Sequence, residues 1–100
     1  MVTDCRIKTF FQALTTSAAR GKEHTYDIRV LLQRKAAAIY LNYSESLRAH
    51  HLSEQKKYRL LAVGAAADAR RLMKLAGYEE RAVIALRFLE RDLNRMLRFP

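Results

Sequence analysis

The sequence predicts an all-α fold: an up-down antiparallel three-helix bundle with an additional C-terminal helix. Two observations carry that expectation. The 100 residues contain only three Gly and one Pro, the Pro in last position, so almost nothing interrupts a helix. Apolar residues also recur at spacings of three and four along most of the chain, the period of a helix with one buried face. Short polar links make consecutive helices antiparallel neighbours in a single domain, 1–100.

Four helices are expected, at about 4–19, 26–50, 54–76 and 79–97. Asp4 is placed as cap of the first, whose apolar positions are Ile7, Phe10, Phe11 and Leu14, with Gly21 as its stop. Thr25 caps the second, which carries Ile28, Leu32, Ala36, Ile39, Tyr43 and Leu47 on one face. Ser53 caps the third. Its inward stripe is Tyr58, Leu61, Ala62, Ala65, Ala69, Leu72 and Ala76, and Gly77 closes it. The fourth starts near Glu79 and Glu80, acids that suit the positive end of a helix dipole, and buries Ala82, Leu86, Leu89, Leu93 and Leu97. The alanine-rich stripe of the third helix has two readings: close helix packing, or space for something that is not protein.

Charge narrows the function classes. The chain carries 19 Lys and Arg against 10 Asp and Glu, a formal charge of +9, which calls for an acidic partner: nucleic acid, anionic lipid or protein. Residues 1–22 sum to +3, 23–52 to +1, 53–77 to +4 and 78–100 to +1, so the excess lies on the first and third helices. On the third, Lys56, Arg70 and Lys74 stand opposite the core stripe together with Leu60, Val63 and Ala67. The fourth repeats the mixture, with Ile84 and Phe88 beside Arg87, Arg91 and Arg95. A purely solvated face needs no Leu, Ile or Phe, so these faces read as contact surfaces for a protein partner.

Several chemistries find no support. His24, His50 and His51 have no Cys or acidic pair at metal-ligand spacing, and the chain has no phosphate-binding glycine loop, nucleophile elbow or paired carboxylates in an apolar setting. A non-enzymatic role without a directly bound cofactor is expected. Leu72 to Leu86 has the spacing of a helix-turn-helix, yet Glu79 and Glu80 would face phosphates, which leaves nucleic-acid binding as the second choice, alongside a helical adaptor or chaperone. No apolar run reaches the roughly 18–20 residues that span a bilayer. The single Cys5 rules out an internal disulfide and suits a reducing compartment. Arg6, Lys8, Arg20 and Lys22 against Asp4, with five Ser or Thr among the first 22 residues, resemble a mitochondrial targeting segment; a plain basic amphipathic helix has the same composition.

From about Ile7 to Leu75 the order of features resembles the LYR-motif family of small mitochondrial helical proteins. The aromatic pair Phe10-Phe11 is followed by Tyr26-Asp27-Ile28-Arg29, then Arg34 and Tyr40, then Leu60-Leu61-Ala62-Val63-Gly64 leading to Arg70-Arg71-Leu72. The signature tripeptide is replaced by Phe10-Phe11-Gln12, which keeps the aromatic centre and lacks the arginine. The resemblance implies an accessory subunit or assembly factor of a respiratory complex, ATP synthase or ribosome, in the mitochondrial matrix or on the matrix side of the inner membrane. It also implies an acidic acyl carrier protein as partner, presenting an acylated 4'-phosphopantetheine arm. Arg29, Arg34, Tyr40 and Gln12 would then meet the carrier and its arm, and Phe11, Ala36, Ala62, Ala65 and Ala69 would line an acyl channel. On a helical wheel Arg29, Tyr40 and Leu47 lie within about 20° of one another, which sets Arg29 at the edge of the apolar face, either to pair with an anion or to cover apolar neighbours with its stem.

Overall fold

Runs of Ala, Leu, Arg, Lys and Glu, all strong helix formers, give this chain helices almost throughout. A computed structural model describes residues 2–16, 25–78 and 80–98. It contains α1 (Val2–Thr16), α2 (Thr25–Arg48), α3 (Leu52–Ala76) and α4 (Glu80–Arg98), and no strand among the described residues. The fold is all-α, and its helix packing is that of a bundle, 45 Å long and about 20 Å across. The expected stop at Gly21 and the end of the first helix at Ala19 lie outside the described residues.

Side-chain contacts fix the directions. Lys35 of α2 reaches Asp68 of α3 at 3.0 Å, and at the link Gln55 Nε2 donates to the Ala49 carbonyl at 3.0 Å, so these two helices are antiparallel. Arg70 and Glu90 approach to 3.4 Å while Arg59 donates to the Met96 carbonyl at 3.3 Å, which sets α4 antiparallel to α3. Arg6 pairs with Asp92 at 3.0 Å and Thr3 lies 3.8 Å from the Met96 sulfur, so α1 runs antiparallel to α4. The C-terminal helix is thus held between α3 and α1.

Three helix starts differ from expectation, and α2 both begins and ends early, taking in Thr25, the expected cap, and stopping at Arg48. Asp4 lies inside the first turn of α1 and favours the helix through its charge there. The N-cap of α3 is His51, extended at ψ 141 with no side-chain cap bond, so Ser53 is already helical. The predicted stop at Gly77 is observed. Its φ of 68° is left-handed, a conformation cheap only for glycine, and Tyr78 N–H donates back to the Met73 carbonyl at 3.1 Å, closing a Schellman turn with Met73 and Tyr78 both buried.

The core departs from the predicted stripes at their edges. Ile28, Leu32, Ala36, Ile39 and Tyr43 are buried, but Leu47 is 49% exposed and Ser46 takes the inward position, donating to its own helix at the Tyr43 carbonyl, 2.6 Å. The Tyr43 hydroxyl sits beside Asp4 and Thr3 in the first turn of α1. Leu47, one turn further along α2, therefore passes beyond α1. On α3, Ala62, Ala65, Ala69 and Ala76 are buried as expected and are joined by Ala66 and Met73, while Leu61 is 48% exposed. The physical cause is that α4 folds against one flank of α3 and draws the core toward Ala66. It also half-buries Val63, one of the predicted outer residues.

Gly64 stands in the middle of α3 with open space where a β-carbon would be. Interior glycine costs a helix about 0.5–1 kcal/mol relative to alanine. Gly64→Ala is therefore expected to raise the stability of the isolated chain by about that amount, read as a higher urea midpoint with unchanged slope.

Candidate functional site

Three surface features combine cations with apolar side chains. The first is a cavity of about 60 Å³ between α1 and α2, closed by Tyr78, two residues past the end of α3, and lined also by Phe11, Leu14, Arg29, Leu32, Gln33 and Ala36. Its walls are mainly apolar, and Arg29 is the one cation among the described residues that line it. Burial raises the Tyr78 phenol above its ordinary pKa, opposed by the nearby Arg29 charge, so Tyr78 stays neutral. Sequence reasoning selected Phe11, Arg29 and Ala36, which meet here. Tyr78 was missed because its role depends on the left-handed turn at Gly77.

The other predicted carrier contacts do not join them. Gln12 lies in a different groove, between α1 and α4. Arg34 is exposed and falls about 140° around α2 from Arg29 at 100° per residue, and Tyr40 is half-exposed three turns along the helix. Ala62, Ala65 and Ala69 are buried in the packed core, with Ala62 and Ala69 at 0% exposure.

The second feature is the α1–α4 groove, about 780 Å³, whose lining includes Gln12, Ala13, Arg81, Ile84 and Phe88. Phe88 remains 39% exposed, with the Arg6 guanidinium 4.6 Å from its ring centre and Arg91 at 5.8 Å. Arg6 also pairs with Asp92, which is mostly buried. An aromatic ring flanked by two guanidinium groups, beside Ile84, offers an apolar anchor rimmed by positive charge.

The third is a groove of about 580 Å³ at the α3–α4 turn, where Arg70, Arg71, Lys74 and Arg87 surround Met73, Tyr78 and Val83. Arg71 is tied to Asp68 at 3.0 Å. Arg70, expected on an outer face, is exposed and lies on the α4 side of α3, 3.4 Å from Glu90. The contact is close enough for charge attraction, yet Glu90 Oε1 is buried and accepts no hydrogen bond. Burial accordingly pushes the Glu90 carboxyl above its ordinary pKa despite Arg70 and Arg87. A raised carboxyl contributes stability while protonated and loses it as pH climbs from the ordinary carboxylate range through the folded value. Glu90→Gln removes that titration, so its melting temperature should gain on the parent chain as pH rises from about 4 to about 7.

No family model, curated protein or solved structure matches this chain. Leu60, Lys74, Ile84, Arg87, Arg91 and Arg95, all predicted as outer residues, are exposed. No helix is long and apolar enough to cross a membrane among the described residues.

Proposed function

We propose that this chain is a non-enzymatic docking protein for an acidic protein partner, acting as a LYR-like accessory subunit or assembly factor of a larger mitochondrial complex, with an acyl carrier protein as the partner. The observation that carries the reading is the convergence of Arg29, Phe11 and Ala36 on one apolar cavity. A cation at the mouth suits the phosphate of a phosphopantetheine arm, and the apolar interior suits the acyl end. Nothing in this role requires a catalytic group. At about 60 Å³ the cavity is far below the roughly 300–1,000 Å³ of small-molecule sites, so arm entry requires α1 to move away from α2. That movement is feasible because α1 packs chiefly on α4. The α1–α4 groove with Phe88 then serves the host complex.

Titration with acylated mitochondrial carrier protein, followed by native mass spectrometry, tests the proposal. The parent chain should form a one-to-one complex, and Arg29→Glu should weaken it at least about tenfold, equivalent to roughly 1.4 kcal/mol. Arg34→Glu, on the far side of α2, should matter much less. A chain that stays monomeric beside the acylated carrier overturns the carrier reading. A second reading, nucleic-acid binding, is favoured by the open patch of Arg91, Asn94, Arg95 and Arg98 at the end of α4. It is distinguished by salt dependence, since each neutralised phosphate adds roughly 0.7–0.9 to the log-log slope.

A further inference from the structure

The outward face of α4 joins an apolar anchor to a row of guanidinium groups, and neither the core nor the Arg29 cavity uses it. Arg81, Ile84, Phe88, Arg91, Arg95 and Arg98 follow one another at alternating steps of three and four, and all six are exposed. That spacing is the seam along which one helix meets another, here about 25 Å long. The acids of α4 are turned away from it. Glu90 faces Arg70 of α3 and Asp92 pairs with Arg6 of α1, both side chains largely buried, which leaves Glu80 in the first turn as the exposed acid of this helix. Among the described residues no carboxylate pairs with Arg91, Arg95 or Arg98. The row also has two halves. Ile84 and Phe88 line the α1–α4 groove with Ala13 and Ala85, whereas Arg91, Arg95 and Arg98 border the open patch at the end of the helix.

We propose that this face docks an acidic amphipathic helix of a partner protein. Its apolar side chains, from two adjacent turns, enter the α1–α4 groove against Ile84 and Phe88, and its carboxylates in the following turns meet Arg91, Arg95 and Arg98. Charge sets the sign of the partner, and arginine, whose planar fork matches a carboxylate in two hydrogen bonds, suits that contact better than lysine, which α4 lacks. A second copy would set the same arginines against one another. A nucleic acid would neutralise the arginines but leave Ile84 unmatched, and the Arg6 guanidinium already stands over the Phe88 ring at 4.6 Å, where a base would stack. The inference deepens the docking reading by giving the chemistry of the partner on the host side; it rests on that reading for the existence of such a partner and not on the carrier cavity.

The test is fluorescence anisotropy on the full chain with a labelled peptide of about three heptads, Leu at the seam positions of its first two turns and Glu at those of the rest. The expected result is saturable binding that falls at least about tenfold in Phe88→Ala, in the double variant Arg95→Gln with Arg98→Gln, and when Ser replaces Leu in the peptide. These side chains are exposed, so the variants keep the fold, which circular dichroism verifies. Arg29→Glu, which tests the carrier cavity, should leave peptide affinity unchanged, so either reading can fail alone. The proposal is overturned by absence of binding, by equal affinity for the Ser peptide, or by an unaffected Phe88→Ala. It is equally overturned if a single-stranded oligonucleotide binds this face more tightly than the peptide, or if the chain sediments as a dimer that Phe88→Ala converts to monomer.

Discussion

Phe10→Ala is expected to lower the unfolding free energy by about 3–5 kcal/mol, a large share of the roughly 5–15 kcal/mol that holds a domain of this size together. Phe10 is 1% exposed and is the largest buried side chain of α1. The helix has only 15 described residues, too few to be stable alone, so its helicity depends on what Phe10, Ile7 and Leu14 bury. The variant should melt at least about 12 °C lower, with weakened contact between α1 and α4. A loss below about 1.5 kcal/mol in urea titration would mean that α1 is not anchored through this ring.

Ala69→Leu carries the second large effect, and its sign separates the two readings of the alanine stripe. Ala69 is fully buried in α3, where Ala62, Ala65 and Ala66 are also core residues. If those alanines allow close packing, three extra carbons have nowhere to go and the change costs about 1–3 kcal/mol or more. If they line unfilled space, leucine fills it and the midpoint rises. The expected result is destabilisation, measured by chemical denaturation. It would confine any ligand space to the neighbourhood of Phe11, Arg29 and Ala36.

The sequence made helix existence and the centre of each buried face legible, because three-and-four spacing reports both. Leu32, Ala36 and Ile39 on α2 and Leu86, Leu89 and Leu93 on α4 are buried as that spacing requires. The edges were not legible. Whether Leu47, Leu61 or Val63 is covered depends on which neighbour lies against which flank, a property of the bundle that one helix does not encode. Capping failed for a similar reason: Ser53 is a good cap by chemistry, yet His51 holds the extended backbone where the link leaves α2. At the site, the resemblance to LYR-motif proteins picked out Arg29, Phe11 and Ala36, which line one cavity, while Gln12 and Phe11, adjacent in sequence, point into different grooves because successive helical residues are 100° apart.

The meeting of Thr3 with Met96, and of Arg6 with Asp92, brings together residues separated by almost the whole chain. The α2–α3 hairpin closes across a three-residue link, and α4 returns onto α3 through an equally short turn, so both form at little loop-closure cost. Docking of α1 on α4 is the one contact that joins the first helix to the last. On this topology α1 is expected to dock last and to detach first, which hydrogen exchange would read as the lowest protection in α1. The helix that must release α2 to open the Arg29 cavity is thus the one whose detachment leaves the remaining three-helix packing in place.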